Sequence, residues 1–276
     1  MYTVIETITP KIAEKYLEKN ENNRKIRYSV IRNYARDMKN GSWELSPQGI
    51  SFFENGKLAD GQHRLMAIVR SKCTVQMNVT YDVPNNTKVI DRGAVRSEAD
   101  ILHFGGYGKS VANNNSVATV NQLFALCSKK PTTSVVVDFM DKYAEIVVKA
   151  TNIVGRGSNT TSICRKSPIA AAAFCGLVCG LDEEGIATFF DVANRGFSVS
   201  AEQTSAVVLR NYILQKYSGG GRKDREDLFK VTCFALKDFA NGRPRTRLYE
   251  LKNSTPFWGY VKSAILDPYL NSYIAE

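Results

Sequence analysis

Apolar residues in this chain recur first at every second position and later at every third and fourth, and that change of period outlines its elements. "TVIETIT", residues 3–9, alternates and is β-branched, which predicts a strand. Pro10 then opens a helix, "PKIAEKYLEKN", at a first-turn position where its missing N–H costs nothing. In "YSVIRNYARDMKNG", Val30, Ile31, Tyr34, Ala35 and Met38 share one helical face. Arg32, Arg36 and Lys39 lie away from it, and Gly41 stops the helix. The period then falls to two. "GISFF" predicts a short strand, the Asn-Gly of "ENGK" a turn, and "LA" a returning strand that runs into Asp60. After a short helix, "TVQMNVTYDV" puts Val75, Met77, Val79 and Tyr81 on one side and Gln76, Asn78 and Thr80 on the other.

Beyond residue 106 every apolar segment has helical spacing. The segments begin at "VNQLFALCSKK" and run to "EDLFKVTCFALKDFANG". "SGGGRKDRED", residues 218–227, reads as the most flexible connection. The expected class is therefore α+β: a small mixed α/β domain over residues 1–105, followed by an all-α domain over 106–276. The longest apolar run, "IAAAAFCGLVCGL" at 169–181, is short of the roughly 20 residues of a membrane span. It predicts a buried small-residue helix. "MYTVIETITPK" has no basic-then-apolar signal pattern, so a soluble cytoplasmic protein with no membrane partner is expected.

Charge narrows the partners. A net charge of +10 favours polyanions such as nucleotides or nucleic acid. The six cysteines form no CxxC pair and mostly sit in apolar helical surroundings, which suits buried free thiols in a reducing compartment. Cys175 and Cys179 stand one helical turn apart without a histidine or carboxylate pair to complete a metal site, and read as core.

The chemistry concentrates in "LADGQHRLMAI", residues 58–68. A strand, a glycine turn and a helix form an anion site, because the first amides of a helix have no acceptor within it and its dipole leaves positive charge there. Gly61 would let a phosphate approach the backbone, Arg64 would add a donor fork, and His63 would donate to phosphate or move a proton. Asp60 repels phosphates unless it caps the helix or holds a metal ion; Mg²⁺ bridging Asp60 and the phosphates removes the conflict.

"DGQHRLMA" resembles the glycine–x–(His/Arg)–Arg–x–x–Ala signature of the ParB/sulfiredoxin superfamily, and "NNRKIR" is similar to the segment preceding it in ParB N-terminal domains. The order of elements agrees over residues 22 to 82. The resemblance implies triphosphate binding over the helix that starts at Gly61, with Gly61, Gln62, His63 and Arg64 at the nucleotide and Asp60 at the metal. Members of the superfamily use CTP as a DNA-clamp switch, or ATP to phosphorylate a sulfinate or serine; a group bearing DGQHR is tied to DNA-modification systems. This chain has Gln62 where sulfiredoxins have cysteine, which excludes sulfinic-acid chemistry. It has Gln-His-Arg where ParB CTPases have Glu-Arg-Arg, and no ParB helix-turn-helix is recognisable downstream.

A second cluster, "IDRGAVRSEADIL", offers Arg92 and Arg96 to close over the phosphates and Ser97 to cap the next helix. With the tail residues Phe190, Gly196, Leu209, Arg210 and Ile213 or Leu214, the whole pattern resembles phage and prophage proteins. "HFGGYGKS" fails the P-loop pattern, since His103 stands where the first glycine belongs. In "NGRPRTRLYELKN", Arg243, Arg245 and Arg247 alternate towards Tyr249 and could track a nucleic-acid backbone.

Three readings follow. One is an Mg²⁺–nucleoside triphosphate (ATP or CTP) hydrolase, phosphotransferase or switch in a nucleic-acid process, with Asp60, His63 and Glu44 as catalytic candidates; Asp91 competes with Glu44 as base. Another is a non-catalytic accessory that grips DNA phosphates through the same turn. An interaction protein without a ligand is the third reading.

Overall fold

A computed structural model describes residues 1–21, 26–84, 97–155, 162–219, 221–247, 249 and 254–270. The chain divides into two compact units at residues 95/96.

The first unit runs β1 (Tyr2–Ile8), α1 (Pro10–Leu17), α2 (Tyr28–Lys39), β2 (Ile50–Phe53), β3 (Leu58–Asp60), α3 (Gln62–Ser71) and β4 (Val75–Val83). Thr9 caps α1 through its hydroxyl, which accepts the Ile12 amide, and Pro10 takes the first turn as predicted. The sheet order is β1-β4-β2-β3. β1 and β4 pair antiparallel from Tyr2↔Tyr81 to Ile8↔Val75. β2 runs parallel to β4, with Ile50 opposite Val79. β2 and β3 form the predicted hairpin through Asn55-Gly56. Helix α3 packs on α1 and α2, and Leu65 and Ile68 are fully buried with Phe52, Met77 and Val79. Each such side chain contributes about 1.5–3 kcal/mol. Tyr16 and Tyr81 both donate to the Glu6 carboxylate at 2.7 Å, and both rings pack on Phe52. Burial pushes both phenols up.

Arg36 departs from expectation. It is 7% exposed and its Nη2 donates to Asn33 Oδ1 at 2.7 Å. A long side chain that buries its stem and bonds part of its head can lie beside an apolar face, which a pattern of polar letters does not reveal; here Nε is buried and makes no hydrogen bond among the described residues.

The second unit is helical: α4 (Glu98–Phe104), α5 (Asn114–Leu126), α6 (Thr133–Ile153), α7 (Ser167–Val178), α8 (Glu183–Arg195), α9 (Thr204–Gln215), α10 (Arg222–Ala240) and a last helical stretch, Trp258–Leu270, whose middle is π-helical. The α+β class is thus as expected, but the division lies ahead of α4 instead of at 105/106. Ala99 and Leu102 of α4 join the helical core, which fixes its allegiance. Ser97 caps α4 in a reciprocal box with Asp100. The small-residue segment becomes α7, with Ile169 to Cys175 buried among α5, α6 and α10. Its alanines let those helices approach closely. "RKDRED" is not a loop: it opens α10, where Arg222 pairs with Glu226 at 2.7 Å one turn on.

The tail signature has a structural meaning. Phe190 and Leu209 are fully buried, Gly196 ends α8, and Arg210 donates from Nη1 to the Ala193 and Asn194 carbonyls at 3.1 and 2.6 Å. A guanidinium on the last carbonyls of α8 neutralises the negative end of that helix. Leu214 is exposed, and Ile213 is the residue that packs inward.

All six cysteines are free. Burial pushes the Cys164 thiol up to about 12, and Cys175 and Cys233 well above their usual range. Ellman's reagent at pH 8 is therefore expected to leave these three thiols unmodified in the native protein and to titrate all six after denaturation. Fast native reaction at Cys175 or Cys233, located by peptide mapping, would contradict this packing.

Candidate functional site

The DGQHR corner is built by β2, β3 and α3. β3 ends at Asp60, and Gly61 turns the chain with φ 108° before α3 begins at Gln62. Only glycine adopts that backbone region without strain. A Cβ on Gly61 would also stand 3.0–3.3 Å from Ile50 of β2. The absent side chain therefore serves the close approach of turn and strand. This corrects the expectation that it opens the backbone to a phosphate. Gly61 occupies the helix cap with no side-chain cap bond, so Asp60 does not cap α3.

Asp60 instead faces Arg64 across the first turn. Its Oδ2 lies 3.4 Å from Arg64 Nη1. The same nitrogen donates to the Gly49 carbonyl at 2.9 Å. Gly49 was not singled out from the sequence, although a glycine opening a strand marks a close backbone approach. A Cβ there would fall 1.9 Å from the Asn78 carbonyl oxygen. β4 thus fixes Gly49, Gly49 orients Arg64, and Arg64 orients Asp60. Among the described residues, the Nε and Nη2 edge of Arg64 and the Oδ1 of Asp60 make no hydrogen bond. The Arg64 side chain is 16% exposed and that of Asp60 39%, so both remain open on one edge.

Gln62 and His63 turn inward, at 3% and 5% exposure. Gln62 Oε1 accepts from Asn20 Nδ2 at 3.3 Å, and His63 Nε2 accepts the Arg27 amide at 2.9 Å. Accepting that proton makes Nε2 the unprotonated ring nitrogen and engages its lone pair. His63 therefore ties the segment ahead of α2 to α3, and is a positioning residue in this arrangement. Asn20 lies outside the quoted segments, and Arg27 closes "NNRKIR", but nothing local in the sequence pairs either with the DGQHR turn. Glu44 is exposed on the connection between α2 and β2, and no hydrogen bond or ion pair joins it to the corner among the described residues. Asp91, Arg92, Arg96 and residues 22–25 of the upstream segment lie outside the described residues.

The donor set tests the metal expectation. Among the described residues no group of three or more His, Cys, Asp or Glu comes together. One carboxylate with a free oxygen suits a Mg²⁺ that arrives held by phosphate oxygens and water, not a metal caged by protein.

The arginine tract near the C-terminus is arranged differently from expectation. Arg245 lies over the Tyr249 ring, 4.5 Å from its centroid, and Tyr249 donates to Asp238 at 2.9 Å. That ring is engaged within the unit and is no platform for a base, while Arg243 and Arg247 remain exposed.

No family model, curated protein or solved structure matches this chain. Among the described residues no helix is long and apolar enough to cross a membrane.

The buried His63 acceptor makes a direct prediction. His63→Ala leaves the Arg27 amide without its acceptor and is expected to destabilise the protein by about 1–3 kcal/mol in urea unfolding. His63→Gln, which can place an oxygen near the Nε2 position, should recover part of that loss. Equal stability of wild type and His63→Ala would refute the positioning role.

Proposed function

We propose that the DGQHR corner binds the phosphates of an Mg²⁺–nucleoside triphosphate, and that binding is the core of its function. The observation that carries this reading is the Arg64 guanidinium, held through Nη1 by Gly49 and Asp60 while its other edge stays uncommitted. A fork oriented before the ligand arrives loses little conformational freedom on binding and suits phosphate oxygens. The start of α3 adds the partial positive charge of its dipole. Asp60 Oδ1 would hold the Mg²⁺, which supplies charge neutralisation when bound.

The arrangement favours a nucleotide-responsive module over an enzyme with its base in place. His63 has one ring nitrogen engaged by a backbone amide, and Glu44 stands apart from the motif. The resemblance to ParB proteins and to phage proteins supports a role for this module in a nucleic-acid process in the cytoplasm of a host cell. The free thiols suit that setting.

The test titrates ATP, CTP and GTP with Mg²⁺ against the wild type, Arg64→Ala and Asp60→Ala, following thermal shift and phosphate release. A preferred nucleotide at 100 times its Kd should stabilise the wild type by about 2.7 kcal/mol. Arg64→Ala should lower affinity about tenfold or more, and Asp60→Ala should abolish the difference between Mg²⁺ and EDTA. An Arg64→Ala protein that keeps wild-type affinity and Mg²⁺ response would overturn the reading. So would salt-sensitive DNA binding with no nucleotide response, which would favour the DNA-gripping alternative.

A further inference from the structure

The helical unit carries a second concentration of positive charge, around a cavity of about 470 Å³ between α5, the chain after it, and the starts of α7 and α10. Its rim bears Lys129, Lys130, Arg222 and Arg225; Lys129 and Lys130 have interactions of their own, and Arg222 is paired with Glu226. Arg225 makes no side-chain hydrogen bond among the described residues. Ser167, the first residue of α7, and Arg222, the first of α10, both line the cavity, and neither helix has a side-chain cap. Two helix N-termini therefore add their partial positive charge to the rim.

The wall supplies an independent sign of a ligand. Gln122 lines the cavity at 6% exposure; its amide atoms are accessible to solvent and make no hydrogen bond among the described residues. Its neighbour Asn121 donates to Glu98 at 2.7 Å, but its Oδ1 is buried without a donor. A buried polar atom left unmet carries its full desolvation penalty, which makes Asn121 Oδ1 exceptional, while the accessible Gln122 amide is free to meet the polar edge of a ligand. Ala118, Ala125 and Pro131 give the cavity small apolar walls. Cations at the mouth, an unmet amide inside and apolar sides describe a molecule with an anionic end and a flat polar-edged end. The volume lies in the range of small-molecule sites.

We propose that this cavity is a second nucleotide site, separate from the DGQHR corner. The phosphates lie along Arg225 and the two uncapped helix starts, and Gln122 meets the edge of the base.

The experiment uses the full chain carrying Arg64→Ala, so that the first corner is weakened, and measures binding of ATP, CTP and inorganic tripolyphosphate by calorimetry. A nucleotide is expected to bind, with affinity falling as salt rises. Adding Arg225→Glu, an exposed change, should lower affinity for nucleotide and tripolyphosphate alike by about tenfold or more. Adding Gln122→Leu should weaken nucleotide binding about tenfold and leave tripolyphosphate within twofold. The proposal is overturned if Arg225→Glu changes none of these affinities by more than twofold. It is equally overturned if Gln122→Leu, with an unchanged circular-dichroism melt, binds nucleotide as well as its parent. A short single-stranded oligonucleotide that binds where mononucleotides do not would also defeat it, and would make the cavity part of a nucleic-acid groove.

Discussion

Two missing side chains let the first turn of α3 lie against β2 and the residue ahead of β2 lie against β4. Gly61 has none to collide with Ile50, and Gly49 has none to collide with the Asn78 carbonyl. With both strands that close, the Gly49 carbonyl comes within 2.9 Å of Arg64 Nη1, and Arg64 in turn faces Asp60. The ion pair by itself contributes little, being partly solvated and 3.4 Å long. Its importance lies in direction. A guanidinium anchored on one nitrogen presents the other edge to whatever approaches the helix start, and the sheet register decides where that edge points.

Much of this was legible in the sequence, because the signals were local. Alternation marked β1 and β4, Asn55-Gly56 marked the hairpin, and Pro10, Ser97 and Gly41 marked helix ends. The strand–glycine–helix order at 58–71 followed from adjacent residues. What could not be read was direction in three dimensions. Nothing local says that the Cβ of residue 61 would point at Ile50, or that His63 and Gln62 face Arg27 and Asn20 rather than solvent. Those partners are separated by dozens of residues, and only the packing of α3 between α1 and α2 brings them together.

Polar letters misled for a related reason. Arg36 is buried with one nitrogen bonded to Asn33 a turn earlier, and "RKDRED" is helical, with Arg222 paired to Glu226 one turn on. Arg245 settles on Tyr249 inside its unit, so an alternation that suggested a nucleic-acid track is partly consumed by intramolecular contacts. The excess of +10 is therefore not one basic stripe. It matters where an uncommitted guanidinium edge meets a structured site, as at Arg64, and at Arg225, which lines the same cavity as Gln122. Function is sought at such places because a satisfied charge has no further interaction to offer.

The central claim is that the free edge of Arg64 receives phosphate. Nitrogen-15 NMR of the full chain, with Mg²⁺ and its preferred nucleotide added to saturation, measures this directly. The account predicts that the Arg64 Nε–H resonance and the backbone amides opening α3 move most within the first unit, while His63 Nε2 keeps the shift of an unprotonated acceptor. Saturable binding that leaves the Arg64 side-chain resonance in place would contradict it.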